Sequence, residues 1–191
     1  MKLNNMELLF KTYERYKPSK VCFLNSDFVD QVLGEYTNYS KKYIICTISD
    51  NGTDLDTSGI KIVKDGPDSL IRLRIRIIAN GKSSYHINLL IIDHLYKTIK
   101  RFEPLNDFEM SETINHTLIQ RFSKSLPDYT FEEYDFHPQR YLTDECKDLG
   151  LCVAHVIRFG VFHLFDHHPE KKTYDDKDIF SFSAAIVKIY T

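Results

Sequence analysis

The 191-residue chain has four cysteines, Cys22, Cys46, Cys146 and Cys152, and none of them forms a C-x-x-C pair. That scatter excludes a disulfide framework and a zinc ribbon, both of which need paired thiols. Charge of one sign is also missing. With 25 Lys and Arg against 27 Asp and Glu the formal net charge is −2, so the clustered basic excess of a general nucleic-acid binder is absent and nucleic acid is not expected as a partner. No apolar run reaches the roughly 18 residues of a membrane span. Nothing near Met1 joins a basic start to an apolar stretch as a secretion signal does, so an intracellular protein with no membrane partner is expected. Repeats and low-complexity tracts are lacking as well. No cofactor is expected, and the length suits one hydrophobic core: a single domain over 1–191, monomeric.

The residues that are present sort by texture. Met6, Leu9, Phe10 and Tyr13 recur at helical spacing until Pro18, and Ser26 or Asp27 is placed to cap a second helix carrying Val29, Val32 and Leu33. From Tyr43 to Asp93 the pattern is that of strands, at 43–48, 60–63, 70–79 and 85–93, separated by Asn-Gly, Gly-Pro and Asn-Gly turns. In the third of these, alternation puts Arg72, Arg74 and Arg76 on one face, read as solvated or as facing an acidic partner. A strand over 97–102, a helix from Ser111 to Leu126, a strand within 128–136, a charged loop over 140–149 and a closing helix over 179–190 follow. Between the last two, Leu149 to Phe159 is too apolar to be anything but a buried helix. The fold class is α+β: a twisted, mainly antiparallel central sheet flanked by helices, with Cys152 at the N-terminus of the buried one.

Cys152 is the candidate nucleophile. A thiol attacks a carbonyl as thiolate, and the first turn of a helix favours an anion through its outward N–H groups. Gly150 lets backbone and substrate approach. An imidazole must take the proton, and His86, near the start of an apolar strand, can do so if an acid orients its other nitrogen. Two acids compete. Asp93 lies seven residues on, about 20 Å along an extended strand and on the opposite face. Glu103 stands on the next strand, and an antiparallel return through His94, Leu95 and Tyr96 brings it back beside His86. An oxyanion donor completes the set, and Gln139, after Pro138, is the candidate. Each of these residues alone has an ordinary structural explanation; the combination carries the reading.

Taken together, His86 followed by Leu89-Leu90-Ile91-Ile92-Asp93, then Lys97-Thr98-Ile99-Lys100-Arg101-Phe102-Glu103-Pro104, then Pro138-Gln139, then Gly150-Leu151-Cys152 resemble the cysteine peptidases that include the adenovirus protease and the SUMO- and NEDD8-specific proteases. They are most similar to the relatives encoded by large DNA viruses. The resemblance covers about residues 80–165, which hold the catalytic motifs, and leaves 1–78 as a family-specific N-terminal part. It implies a papain-like fold and mechanism with the order His, acid, Gln, Cys, and cleavage after glycine-containing sites. The implied partner is a protein substrate, either a ubiquitin-like modifier or a viral precursor, met in the host cytoplasm or the virion. Two positions depart from the pattern. Many members have Trp directly after the histidine, where this chain has Ile87, and the stretch from Gln139 to Cys152 is longer than in the adenovirus and SUMO enzymes. Cys146 falls nearer the family spacing, but it sits between Glu145 and Lys147 without the apolar helix the chemistry needs.

Two other readings remain. A catalytically silent relative would bind a ubiquitin-like or capsid protein without cleaving it. A metal hydrolase would use His163, Asp166, His167 and His168, although no glutamate base sits between His163 and His167 as in zincins, and the site is read as holding no metal.

Overall fold

The computed structural model describes residues 4–17, 24–58, 60, 62, 66–105, 108–141, 151–166, 168, 169 and 175–191. In chain order these form α1 (Asn5–Thr12), α2 (Asp27–Leu33), β1 (Tyr39–Ser49), β2 (Gly52–Asp56), β3 (Asp68–Ala79), β4 (Lys82–Asp93), β5 (Thr98–Phe102), α3 (Phe108–Ser125), β6 (Thr130–Glu133), α4 (Cys152–Asp166) and α5 (Asp176–Tyr190). The chain is mixed α+β and divides into two compact units, Asn38–Asp135 and Met1–Thr37 with Phe136–Thr191. Among the described residues no helix is long and apolar enough to cross a membrane.

The first unit is a six-stranded sheet in the order β2-β1-β3-β4-β5-β6. Pairing is antiparallel for β1/β2, β3/β4 and β4/β5. It is parallel for β1/β3 and β5/β6, so the sheet is mainly antiparallel but not built of hairpins alone. The reason lies in two connections. After β2 folds back on the outer edge of β1, residues 57–67 lead to β3 on the other side of β1, and α3 carries the chain from β5 to β6 in the same direction.

One edge strand differs from expectation. The strand foreseen at 60–63 is instead β2 at Gly52–Asp56; Ile60 and Ile62 lie in irregular chain packed against the core, and residues 61 and 63 fall outside the described set. An edge strand half open to water needs no apolar run, so Thr53-Asp54-Leu55-Asp56 gave little signal.

The core of this unit lies between one face of the sheet and α3. Ile44 and Cys46 of β1, Ile71, Leu73 and Ile75 of β3, Leu90 and Ile92 of β4 and Ile99 of β5 meet Ile114, Leu118 and Phe122 of the helix, spaced by four residues. The period of two on β4 then places His86 and Asn88 on this same face, in line with Leu90 and Ile92. Cys46 is buried in this core, and burial pushes its thiol up to about 11.

The arginine row of β3 is not uniformly solvated. Arg72 is only 4% exposed, with its guanidinium 4.4 Å from the centre of the Tyr43 ring, and Arg74 lies 4.1 Å over Tyr85. Arg76 alone is exposed. The β3–β4 hairpin turns on Asn80 and Gly81 at φ of 51° and 72°, the left-handed pair of a type I′ turn. A Cβ at Gly81 would meet no atom within 4 Å, so Gly81→Ala is expected to cost about 1 kcal/mol in urea unfolding through backbone strain alone. An unchanged midpoint would contradict that.

The second unit is helical. Residues 151–162 of α4 and its N-terminal flank are all buried, as the apolar run implied, and α4 packs against α1, α2 and α5. Phe162 anchors an aromatic cluster, 5.3 Å from Phe10, 5.7 Å from Tyr13 and 6.2 Å from Phe182. Arg158, 1% exposed, lies 4.8 Å over the Phe162 ring and 3.8 Å from the Asp178 carboxylate, which compensates its buried charge. The helix over Phe108–Ser125 begins earlier than its apolar spacing suggested. The ends of α2 and α5 match the sequence within a few residues.

Candidate active site

Within the sheet unit the antiparallel return of β5 along β4 does what the strand arithmetic required. Leu89 pairs with Phe102, so the residue after β5 arrives beside Asn88, two positions from His86. His86 Nε2 lies 2.7 Å from Glu103 Oε1. The glutamate side chain is 3% exposed and the imidazole 17%, so the pair is sheltered but the ring still meets solvent. Asp93 serves elsewhere: its Oδ1 accepts the backbone N–H groups of Leu95 and Tyr96 and so shapes the β4–β5 turn.

The sequence alone does not reveal the partners of Glu103. Oε2 accepts from Asn88 Nδ2 at 2.8 Å, and Oε1 also accepts the N–H of Leu105 at 2.7 Å. Arg101, with no exposed surface, donates from Nη1 to Asn88 Oδ1 at 2.8 Å and from Nη2 to Ser111 Oγ at 2.7 Å and to Glu133. Asn115 of α3 holds the other Glu133 oxygen at 2.6 Å. A chain of hydrogen bonds thus runs from His86 through Glu103, Asn88 and Arg101 to α3 and β6.

Burial alone would raise the Glu103 carboxyl. The hydrogen bond and charge of His86, the Leu105 N–H and the Arg101 charge more than offset it and hold the group at about 2. Glu103 is therefore an anion at any pH near neutrality. An anion at Oε1 fixes the tautomer of a neutral His86, with the proton on Nε2 and the lone pair on Nδ1. Any proton the ring accepts enters at Nδ1.

In the helical unit Cys152 is the first residue of α4 and 7% exposed. The first helical bond, from His155 N to Leu151 O at 3.1 Å, places it within the turn whose N–H groups point out of the helix end. Gln139, 3% exposed, stands in a 3₁₀ turn over Pro138–Tyr141 that packs against α4. Phe136, just before the turn, stacks on Phe159 of α4 with centroids 6.4 Å apart. Gly150 and Cys146 lie outside the described residues, as does most of the loop expected over 140–149.

Of the metal alternative, His163 is half-buried on α4 and His168 exposed, while His167 lies outside the described residues. Among the described residues no group of three His, Cys, Asp or Glu side chains could hold a metal ion.

One more titratable group bears on stability. His155, one turn after Cys152, is wholly buried, and burial, with the Arg158 charge, pushes its imidazole from 6.5 down to about 3. A base with a lowered folded value contributes stability that is present above pH 6.5 and is lost as pH falls toward 3, because the unfolded chain binds the proton first. Glu103 acts in the same direction lower down: its stabilisation is present above about 4.5 and is lost as pH falls through about 2. His155 alone is therefore expected to lower the unfolding free energy by up to about 1.4 kcal/mol per pH unit between 6.5 and 4.5. In His155→Leu the slope between pH 6.5 and 4.5 flattens. Equal slopes in wild type and variant, measured by urea denaturation, would contradict the assignment.

No family model matches the chain, and no curated protein does. Three solved structures to which the chain is similar carry the names of proteases. One is the C-terminal protease domain of Ulp1 in complex with Smt3, the yeast ortholog of SUMO, at 18% identity over 95% of this chain and 72% of that one, with a TM-score of 0.41. Another is the ASFV protease, at 11% identity over 95% and 80%, with a TM-score of 0.46. The third is the SUMO protease Ulp1 with its catalytic cysteine oxidised to a sulfonic acid, at 18% identity over 60% and 50%, with a TM-score of 0.35; this chain spans half of its length.

Proposed function

We propose that the chain is a thiol endopeptidase or isopeptidase in which Cys152 is the nucleophile, His86 the base, Glu103 the orienting acid and Gln139 an oxyanion donor. The observation that carries the reading is the His86–Glu103 pair, 2.7 Å apart on neighbouring strands and held by a buried network that keeps the acid ionised. The structural context of Cys152 at the head of a buried helix supports it.

In the proposed reaction Cys152 gives its thiol proton to His86 Nδ1 and attacks the carbonyl carbon of the scissile amide. The tetrahedral oxyanion accepts hydrogen bonds from the Gln139 amide and the Cys152 N–H. Collapse breaks the C–N bond, and the leaving amine takes the proton from His86. Water then hydrolyses the thioester, with His86 taking its proton and returning it to the departing sulfur. The substrates implied by the sequence resemblance are proteins with glycine-containing sites, either ubiquitin-like modifiers or viral precursors.

The test is incubation with ubiquitin, SUMO and NEDD8 carrying an electrophile in place of the C-terminal carboxylate, followed by peptide mass spectrometry. An adduct on Cys152 is expected with at least one of them or with a Gly-X-Gly precursor peptide bearing the same electrophile. One observation favours the silent alternative: Ile87, where relatives place an aromatic cover, is 4% exposed and turned into the protein. Binding of a modifier without any adduct would select that alternative.

A further inference from the structure

The sheet has a second face, turned away from α3, and part of it is open. Strand pairing settles which residues share it: Ile45 lies between Asp56 of β2 and Arg74 of β3, and Thr47 between Asp54 and Arg76. Alternation sends their neighbours Ile44, Cys46 and Leu55 into the α3 core, so these six residues point the other way. Asp54, Asp56 and Arg76 are exposed, and Ile45, Thr47 and Arg74 half-buried. The face closes at Arg72, Ile87 and Leu89, which are buried. One corner is left open, with an acidic column on β2, a neutral one on β1 and a basic one on β3.

Within one chain the two charged columns do not meet. They stand two strand spacings apart, about 9.6 Å, and among the described residues no ion pair joins them. Arg74 lies instead over the Tyr85 ring, and one Asp56 oxygen accepts the N–H of Ser58 at 2.7 Å. Arg76 and Asp54 face water.

We infer that this corner is the contact of a symmetric dimer, packed on the same corner of a second copy. Two facing sheets can be related by a dyad that runs across the strands or along them. With the dyad across the strands each strand faces itself, so Arg meets Arg and Asp meets Asp. With the dyad along the strands, over β1, the basic column of β3 faces the acidic column of the other copy's β2. That operation keeps each residue at its own level. Arg74 therefore meets the partner's Asp56 and Arg76 the partner's Asp54, each pair occurring twice, around a neutral centre of Ile45 and Thr47. Sheets packed about 10 Å apart leave room for these side chains to reach one another. A corner of three strands is smaller than the roughly 1,200 Å² of a standard interface, so the dimer is weak, with a Kd between about 1 µM and 1 mM. The monomer expected from the sequence is then the dilute form.

Sedimentation equilibrium of the full chain from about 10 µM to 1 mM reads the association. A reversible monomer–dimer equilibrium is expected at low salt, weakened in about 1 M NaCl, where charges are screened beyond about 3 Å. Arg76→Glu and Asp54→Lys each set like charges at both symmetric positions and are expected to weaken self-association at least about tenfold. Mixed in equal amounts, the two variants regain opposite charges across the contact, and association is expected to return to about the wild-type strength. Misfolding of either variant does not give that recovery. A chain that stays monomeric to about 1 mM, a dimer indifferent to both substitutions, or a mixture that associates no better than its components overturns the inference. Both positions lie on the face opposite His86, so the peptidase reading stands or falls separately.

Discussion

His86→Ala and Cys152→Ala are expected to reduce turnover of a cleavable substrate to background, and Glu103→Gln to reduce it by about 10²–10⁴-fold while the chain stays folded. The glutamine case is the informative one, because the substituted side chain keeps the shape while it loses the negative charge and gains two donor protons. In the native site both Glu103 oxygens accept, one from His86 Nε2 and the other from Asn88 Nδ2. A glutamine must turn its NH₂ toward one of them. Turned toward Asn88, it sets donor against donor, with Asn88 Oδ1 already held by Arg101 at 2.8 Å. Turned toward His86, it makes Nε2 an acceptor and moves the ring proton to Nδ1, where the thiol proton should go. The imidazole remains in place but is the wrong tautomer. Steady-state kinetics checks this, with a fold control by circular dichroism; full activity in Glu103→Gln would remove the glutamate from the proposed mechanism.

Arg101→Met is expected to destabilise the protein by about 3–5 kcal/mol, the largest effect on folding foreseen away from α4. Arg101 is wholly buried and its guanidinium binds Asn88, Ser111 and Glu133 while lying 3.6 Å from Glu103. Methionine fills much of the volume but leaves the Glu133 carboxylate, the Asn88 amide oxygen and the Ser111 hydroxyl short of a donor and Glu103 without its neighbouring charge. Lysine keeps the charge without the fork, so Arg101→Lys should lose less, about 1–3 kcal/mol. Urea unfolding at neutral pH measures both. A loss under 1 kcal/mol in Arg101→Met would mean that solvent or rearranged side chains satisfy the network.

The contrast between Glu103 and Arg101 shows what the sequence made legible. Choosing Glu103 over Asp93 needed only strand rise, strand alternation and the length of one turn, and each is a local property. The network needed a pairing of patterns on two strands. His86 and Asn88 are two apart, as are Arg101 and Glu103, so each pair shares a face, and the register of β4 with β5 brings the pairs together. Polar residues at spacing two in otherwise apolar strands were the available signal; read singly, each passes for an ordinary strand residue. Arg72 went the other way. Alternation puts it on the polar face of β3, but that face is buried at Arg72, and a guanidinium over Tyr43 is how the charge is accommodated. The helix of Cys152 was plain because twelve successive buried residues leave no polar face to misread.

If His86 activates the Cys152 thiol as proposed, alkylation reads that activation out. Wild type, His86→Ala and Glu103→Gln are exposed to limiting iodoacetamide at neutral pH, and each cysteine is followed over time by peptide mass spectrometry. Cys152 is expected to react at least tenfold faster than a free thiol in wild type and to fall back to that rate in both variants, with Cys46 unlabelled throughout. Equal rates in all three proteins, or preferential labelling of Cys146, would contradict the assignment.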